Sequence, residues 1–489
     1  MVEIRKLFEC LDYELVRGSM RGEISEIVYD SRKVVADCLF VCITGAKSDG
    51  HDYAPKAVEG GAKVIVVEKN IDIPEDVTVI KVADSREALA LLSASFFGNP
   101  SEKMRVIGVT GTKGKTTTTY MIKSILDASG HKCGLIGTIE TIIGERSIPS
   151  VNTTPESYYI QKYLREMLDQ GCDCAVMEVS SQGLMLARTA GILFDIGIFT
   201  NLSPDHIGPD EHRDFDHYLH CKSMLFKQCK IGIFNIDDPY YERVLNGHGC
   251  SVETFGFSDN AGFQAYDYRL IHEKGRIGVD FKVKGIMEGE FELNLPGKFS
   301  IYNALAAIAV CRIFGVPDDV TKKALKKAHV KGRIEPVKVS DDFSLMIDYA
   351  HNAFGLESLL TTLKEYEPRR LVCLFGCGGN RDRNRRFEMG EVSGKYADLS
   401  IITSDNPRYE KPEDIIEDII TGISKTKGQY VKITDRKEAI AYAIHNGQPG
   451  DVIVLAGKGH EDYQEIEGVK YPMDERDIIR DILEADAKS

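Results

Sequence analysis

From Gly108 to Thr117 the chain reads Gly-Val-Thr-Gly-Thr-Lys-Gly-Lys-Thr-Thr, between the apolar run Met104 to Val109 and a helical pattern from Thr116 to Leu126. Strand, glycine turn and helix together make a phosphate cradle. Gly111 and Gly114 let the backbone approach a polyphosphate, successive N–H groups and the helix N-terminus point at it, Lys115 supplies charge, and Thr116 offers a hydroxyl to Mg²⁺. The stretch is read as an ATP site formed by Gly111, Thr112, Lys113, Gly114, Lys115, Thr116 and Thr117. The generic spacing of such loops puts a first glycine at position 109, where Val109 stands, so this is the shifted form Gly-Thr-x-Gly-Lys-Thr.

Further groups with chemical potential follow. The apolar strand Cys174 to Val179 ends in Glu178, Ser180 and Ser181, and a run apolar on both faces suits a parallel sheet. Ligands collect at the carboxyl ends of such strands, so Glu178 reads either as a second metal ligand or as a helix-capping acid. A strand from Ile192 to Thr200 leads to Asp205-His206, which could hold metal or move protons, and then to an acidic stretch that also reads as a solvated loop. His206, His212 and His217 match no standard zinc spacing. Lys222 is one lysine within the apolar face of a helix from Tyr218 to Phe226. Such a lysine snorkels, or, if desolvated, reacts with CO₂ to give an anionic carbamate; the chemistry of the sequence alone does not choose. Asn303, near the start of a helix from Ser300 to Phe314, is read as an amide for a base edge or as an exposed helix-start amide.

Stepping outward to the elements that hold these groups, residues 332 to 489 alternate strands and helices, which predicts a Rossmann-like doubly wound sheet. Its strands end in polar loops: Asp348-Tyr349-Ala350-His351-Asn352, Gly376 to Arg383, Asp405-Asn406-Pro407-Arg408 and Ala456 to Glu461. Four such loops at one sheet edge predict a ligand cleft. Residues 253 to 295 alternate apolar and polar positions and predict an antiparallel flap. The first hundred residues read as a small mixed α/β domain, with a strand from Ile24 to Arg32, a helix near Tyr53 to Gly60 and a break at Phe97 to Ser101. A helix is expected to begin at Pro155. The fold class is therefore α/β in three domains: residues 1–100, a central ATPase-like domain with a mostly parallel sheet at 101–331, and residues 332–489.

Composition limits the remaining choices. The chain has 489 residues, a formal charge of −14, twelve cysteines and no tryptophan. Its spread acidity argues against nonspecific nucleic-acid or membrane-surface binding. No stretch approaches the ~20 apolar residues of a membrane span, and the first residues lack the apolar run of a secretory signal. The cysteines are scattered and suit a reducing compartment. A cytoplasmic, monomeric protein acting on small molecules is expected.

Taken together, these residues resemble the Mur ligases, the ATP-dependent amide-bond ligases of peptidoglycan precursor assembly. The resemblance spans the chain. It rests on the shifted cradle, Met177-Glu-Val-Ser-Ser, Thr200-Asn-Leu-Ser-x-Asp-His, the lysine of Tyr218-x-x-x-Lys, Gly332-Arg-x-Glu, Asp348-Tyr-Ala-His, Asp405-Asn-Pro-Arg and Gly457-Lys-Gly-His-Glu. Asp30-Ser-Arg and Asn152-Thr-Thr-Pro look like the branch that extends UDP-N-acetylmuramoyl-L-alanyl-D-glutamate.

The resemblance implies roles residue by residue. Lys115 and Thr116 would bind ATP phosphates and Mg²⁺, with Glu178 and His206 as metal ligands and Lys222 as a carbamylated lysine. Asn303, Arg333 and Asp348 match nucleotide contacts. Ser31 and the turn Ala46-Lys47-Ser48 would lie against the UDP moiety, and Asn152, Thr153, Thr154, Ser180, Leu186 and Arg188 would line the muramoyl-dipeptide channel. Arg381, Asp405, Asn406, Pro407, Arg408, Gly457 and Glu461 match the pocket for the incoming amino acid. Arg408 can pair with the distal carboxylate of meso-diaminopimelate and Glu461 with its ammonium, whereas lysine has no distal carboxylate. The segment Ile207 to Asp214 departs from the family's usual Leu-Asp-x-His-Gly, so His212 receives no role.

The activity implied is ATP-dependent ligation through an acyl phosphate, with His351 as a candidate base and hinge closure near 331 to 333. Ligation of lysine or lanthionine, phosphoryl transfer without amide formation, and a non-catalytic nucleotide-sensing homologue are the alternatives.

Overall fold

A computed structural model describes residues 1–45, 48–205, 207–208, 211–273 and 276–488. Contacts divide it into two compact units, one of residues 1–262 with 306–316, the other of 263–305 with 317–489.

The first unit holds two larger sheets beside a two-stranded pairing of Val2–Glu3 with Glu23–Ile24. The N-terminal one runs Glu14–Arg17, Thr78–Lys81, Ala62–Val67, Cys38–Val41, Ile27–Val28, parallel except for its first strand. The single strand expected over 24–32 is instead two short ones, Glu23–Ile24 and Ile27–Val28, followed by a 3₁₀ turn at Ser31–Lys33. The Asp30 carboxylate accepts from the Arg32 N–H and bends the chain there. The expected helix near Tyr53 is a 3₁₀ turn, Gly50–Tyr53, running into Ala54–Glu59.

In the larger sheet the parallel strands Cys133–Ile136, Cys174–Glu178, Arg105–Thr110, Phe194–Phe199, Cys229–Asn235 and Ser251–Gly256 are neighbours in that order. The antiparallel strands Glu140–Ile143 and Arg146–Pro149 extend its Cys133–Ile136 edge. Valine, isoleucine and phenylalanine on both faces of the central strands are buried, as parallel sheets require. Register sets Glu178 beside Val109 and Phe199 beside Thr110, so these strand ends are level with the cradle. The helix expected at Pro155 spans Ser157–Asp169. It starts late because Thr154 is committed to the neighbouring strand end, its hydroxyl donating to the Glu178 carbonyl and accepting from the Ser180 N–H.

The second unit contains the antiparallel flap, Phe263–Glu273, Arg276–Gly285 and Gly289–Leu293. It also contains a six-stranded sheet ordered Glu335–Val337, Ser344–Asp348, Asp451–Ala456, Arg370–Phe375, Leu399–Ile402, Gln429–Lys432, antiparallel only at its first strand. Alternate strand residues face opposite layers. Met346, Cys373, Phe375 and Val454 pack with the helices Ala353–Lys364, Asn384–Tyr396 and Pro412–Ile423. Leu345, Leu374 and Ile453 pack with Arg436–His445 and Glu475–Asp486. This is the doubly wound arrangement that the βα alternation predicts.

Candidate active site

In the first unit the cradle strand Arg105–Thr110 turns through Gly111 into the helix Lys115–Ala128. Gly111 has φ 147°, and a Cβ there would stand 2.0 Å from Thr200 Oγ1, so only glycine fits the turn. Asn201 braces the loop: its carbonyl accepts from the Thr112 N–H at 2.9 Å and its Oδ1 from the Lys113 N–H at 2.9 Å. Lys115 folds back, Nζ donating to the carbonyls of Gly111 at 2.9 Å and Thr112 at 3.1 Å.

Lys222, on the helix Phe215–Ser223, reaches the same place, Nζ donating to the Gly111 carbonyl at 2.8 Å. It is 1% exposed, so its ammonium does not snorkel. Burial drives its pKa well below the ordinary lysine value, Lys115 adds to the shift, and Asp205 opposes it. Tyr218 lies beneath it, ring centroid 4.6 Å from Nζ, with the hydroxyl 3.0 Å from Thr112 Oγ1. Burial pushes that phenol up to about 12. Tyr218 as a brace was not singled out from the sequence, although it stands four residues before Lys222 on the same helical face.

Glu178, 1% exposed, accepts from Thr116 Oγ1 at 3.0 Å, from Thr138 Oγ1 at 3.0 Å and from the Thr138 N–H at 2.7 Å. A helix-capping role does not describe it; a carboxylate and two hydroxyls converge instead. Hard oxygen donors of this kind fit Mg²⁺, which takes few protein ligands and keeps its remaining positions for phosphate and water. His206, the other expected ligand, lies outside the described residues, as do Ala46 and Lys47.

The residues expected along the dipeptide channel continue from here. Thr153 Oγ1 is 3.1 Å from Thr138 Oγ1, and Arg188 donates to the Thr154 carbonyl at 2.9 Å and pairs with Glu156 at 2.5 Å. Ser180 caps the short helix Ser181–Met185, which Leu186 ends. Asn152 is exposed, Ser31 half-buried and Ser48 exposed in its turn, where the Ser48 carbonyl accepts from the Gly45 N–H. His212 is fully buried, its Nε2 2.9 Å from Ser181 Oγ, while the neighbouring acids Glu211 and Asp214 are exposed, as the solvated-loop reading of the acidic part expects.

In the second unit the four strand-end loops do carry a concentrated set of charges. Asp348 is buried, accepting from the N–H groups of Ile334 and Ala350, each at 2.8 Å. Burial raises its pKa; Arg333 and those two amides pull the other way. The Arg333 guanidinium lies 5.0 Å from the Tyr349 ring centroid, and the His351 and His460 rings stand 4.6 and 4.7 Å from the same ring. This cluster of a guanidinium and mutually tilted rings suits a nucleobase or sugar face. Asn303 is 4% exposed on the helix Lys298–Ile313 and is not the exposed helix-start amide.

Around Asp405 to Arg408 side chains meet both other side chains and backbone carbonyls. Asn406 Nδ2 donates to Glu461 Oε2 at 3.0 Å; Arg408 Nε donates to Glu465 Oε2 at 3.0 Å and its Nη1 to the Gly379 carbonyl at 2.7 Å. Gly457 has φ 109°, and a Cβ there would meet Asp405 Oδ2 at 3.1 Å. Pro407 is buried and Arg381 exposed. The hairpin Tyr463–Ile466 with Val469–Pro472, unforeseen in the sequence, laces the loop: Glu465 O accepts from the Arg408 N–H and Gln464 Nε2 donates to Asp405 O.

A phosphate cradle on one parallel sheet and a polar pocket on a second, doubly wound one define a nucleotide-dependent ligase fold. Family models described as the Mur ligase catalytic domain, the Mur ligase middle domain and the Mur ligase glutamate ligase domain match residues 23–97, 109–311 and 332–459. The chain belongs to the Mur ligase family. A Caldanaerobacter subterraneus subsp. tengcongensis protein named UDP-N-acetylmuramoyl-L-alanyl-D-glutamate--2,6-diaminopimelate ligase is 45% identical over 470 residues, 96% of each chain. A Clostridium perfringens protein of the same name is 42% identical over 490 residues, 98% of this chain and 99% of its own. A solved structure with that name superposes with a TM-score of 0.74 at 28% identity over the whole of both chains. Among the described residues no helix is long and apolar enough to cross a membrane.

Proposed function

We propose that this chain is the ATP-dependent ligase that joins meso-diaminopimelate to UDP-N-acetylmuramoyl-L-alanyl-D-glutamate in peptidoglycan precursor synthesis. The observation that carries the reading is end-to-end identity of 45% with a protein named for that reaction. The Arg408 and Glu461 pocket is compatible with a ligand that bears both a distal carboxylate and an ammonium.

In this reading the γ-carboxylate of the D-glutamyl residue attacks the γ-phosphorus of ATP, ADP leaves, and an acyl phosphate forms. The cradle amides and Lys115 take up charge that grows on the transferring phosphoryl group. Thr116 and Glu178 would hold Mg²⁺, which supplies further charge neutralisation when bound. Lys222, whose pKa burial depresses, would react with CO₂ through its free amine to form a carbamate and release a proton, which places an anionic group beside the cradle. The diaminopimelate amine loses a proton, attacks the acyl carbon, and phosphate departs from the tetrahedral intermediate. His351 suits the base: its Nδ1 lies 2.9 Å from the Tyr349 carbonyl, so the proton sits on Nδ1 and Nε2 is left to accept another.

Within this proposal, residues 1–100 serve the UDP moiety, 101–331 ATP, and 332–489 the amino acid, Asn303, Arg333 and Asp348 also meeting the nucleotide. The twelve free cysteines suit a reducing compartment, and the protein is proposed to work in the cytoplasm as a monomer. The test is a competition assay with ATP and UDP-muramoyl-dipeptide against diaminopimelate, lanthionine and lysine. ADP and phosphate should appear only when both acceptor and amine are present, with diaminopimelate preferred. A preference for lysine overturns the reading of Arg408, and a stable phosphorylated acceptor overturns ligation.

A further inference from the structure

Lys458 follows the strand Asp451–Ala456 and is 0% exposed. Its ammonium has three protons, and three acceptors surround it: Asn406 Oδ1 at 2.6 Å, the Tyr463 carbonyl at 2.6 Å and Glu461 Oε2 at 3.2 Å. Asp405 Oδ1 lies 3.9 Å away. A carboxamide can in principle be turned either way round, but an ammonium can only face its oxygen. Asn406 Oδ1 also accepts from the Glu465 N–H at 2.9 Å, so two donors fix that atom as oxygen. Asn406 Nδ2 is thereby aimed at Glu461 Oε2, 3.0 Å away, and Glu461 receives one proton from the lysine and one from the amide. The lysine also offsets one of the two carboxylates, Asp405 and Glu461, that stand close together here.

We propose that Lys458 is a positioning residue of the amino-acid pocket, which sets the Asn406 amide and holds Glu461 in the orientation that receives the amine-bearing ligand. The inference rests on the reading of 405–408 and 457–461 as that pocket. Lys458 acts through its two neighbours and does not contact the reacting atoms. A buried, charge-assisted network of this kind is rigid before the ligand arrives, so loss of the lysine falls on ligand capture rather than on phosphoryl transfer.

Steady-state kinetics of the full chain test this, with ATP, UDP-muramoyl-dipeptide and diaminopimelate varied in turn. Lys458→Met should raise the diaminopimelate KM about 10- to 100-fold, with the other two KM values held within about twofold. In an Asn406→Ala background the same substitution should raise that KM by a clearly smaller factor than in wild type, because one of its two partners is gone and only the direct contact with Glu461 remains. Asn406→Asp keeps an acceptor for Lys458 but removes the donor to Glu461. It should raise the diaminopimelate KM while leaving the other two KM values within about twofold, and it decides the matter if Lys458→Met does not fold. Additive effects, equal increases in all three KM values, or a wild-type diaminopimelate KM in Asn406→Asp would overturn the proposal. If wild-type protein ligates no diamino acid, or Arg408→Ala leaves the diaminopimelate KM unchanged, the pocket reading fails instead.

Discussion

The phosphate cradle and the pocket around Arg408 both lie at the carboxyl edge of a parallel sheet, yet their cations are held differently. In the cradle, Lys115 and Lys222 donate to the backbone carbonyl of Gly111. In the pocket, Lys458 and Arg408 each add to one backbone carbonyl, of Tyr463 and Gly379, side-chain acceptors that carry full or partial negative charge, Glu461, Asn406 and Glu465. A carbonyl is a weak partner that a phosphate displaces, whereas a carboxylate pair keeps its geometry. The cradle therefore holds charge in reserve for any polyphosphate, and the pocket spends its charge on a fixed shape. Affinity for a common group and selection of one amino acid need these two designs.

The comparison breaks most sharply at Lys115. Lys115→Ala should lower kcat/KM about 10³-fold while the diaminopimelate KM stays near wild type, measured by coupled ADP release. Lys222→Met comes next, with a loss on the order of 10²-fold, and a ¹³C carbamate resonance formed from labelled bicarbonate should be present in wild type and absent in the variant.

Lys222 also gives a pH dependence. Its folded pKa is depressed, so between that value and the ordinary lysine value of about 10.4 the unfolded chain binds more protons than the folded one. In CO₂-free buffer its contribution to unfolding free energy should rise with pH across that window, and denaturant titrations of Lys222→Met should lack that rise.

In the pocket, Arg408→Lys should leave ATP binding alone and raise the diaminopimelate KM about 10-fold, narrowing the preference over lysine, because an ammonium cannot make the bidentate pair. The smallest effect is expected for Glu465→Gln. This change keeps an acceptor for Arg408 Nε but removes its charge, and a KM change of about threefold in the same assay is expected.

How much of this is legible before folding differs between the two regions. The cradle is a contiguous motif, and its strand, turn and helix appear within a residue or two of the positions read from sequence. The doubly wound sheet follows from strands and helices that alternate along the chain. The bent segment at Asp30 and the late helix start after Thr154 escaped because side chains there hydrogen-bond the backbone and override propensity. The hairpin Tyr463–Pro472 escaped because none of its strand residues is buried, so no core-facing apolar pattern marks it.

Sequence by itself determined the residue types: a glycine turn with a lysine and a threonine, acids and hydroxyls at strand ends, and guanidinium and carboxylate groups in late loops. Local spacing suffices for these because a turn or a strand end is built from neighbours. Only the tertiary structure decided which groups meet. Glu178 reaches Thr116 across 62 positions, Lys222 reaches Gly111 across 111, and Lys458 reaches Asn406 across 52. Parallel register brings those strand ends level, and burial then changes what a lysine is. Beside the cradle it is an amine stripped of water and primed to lose its proton; in the pocket it is a cation locked among acceptors.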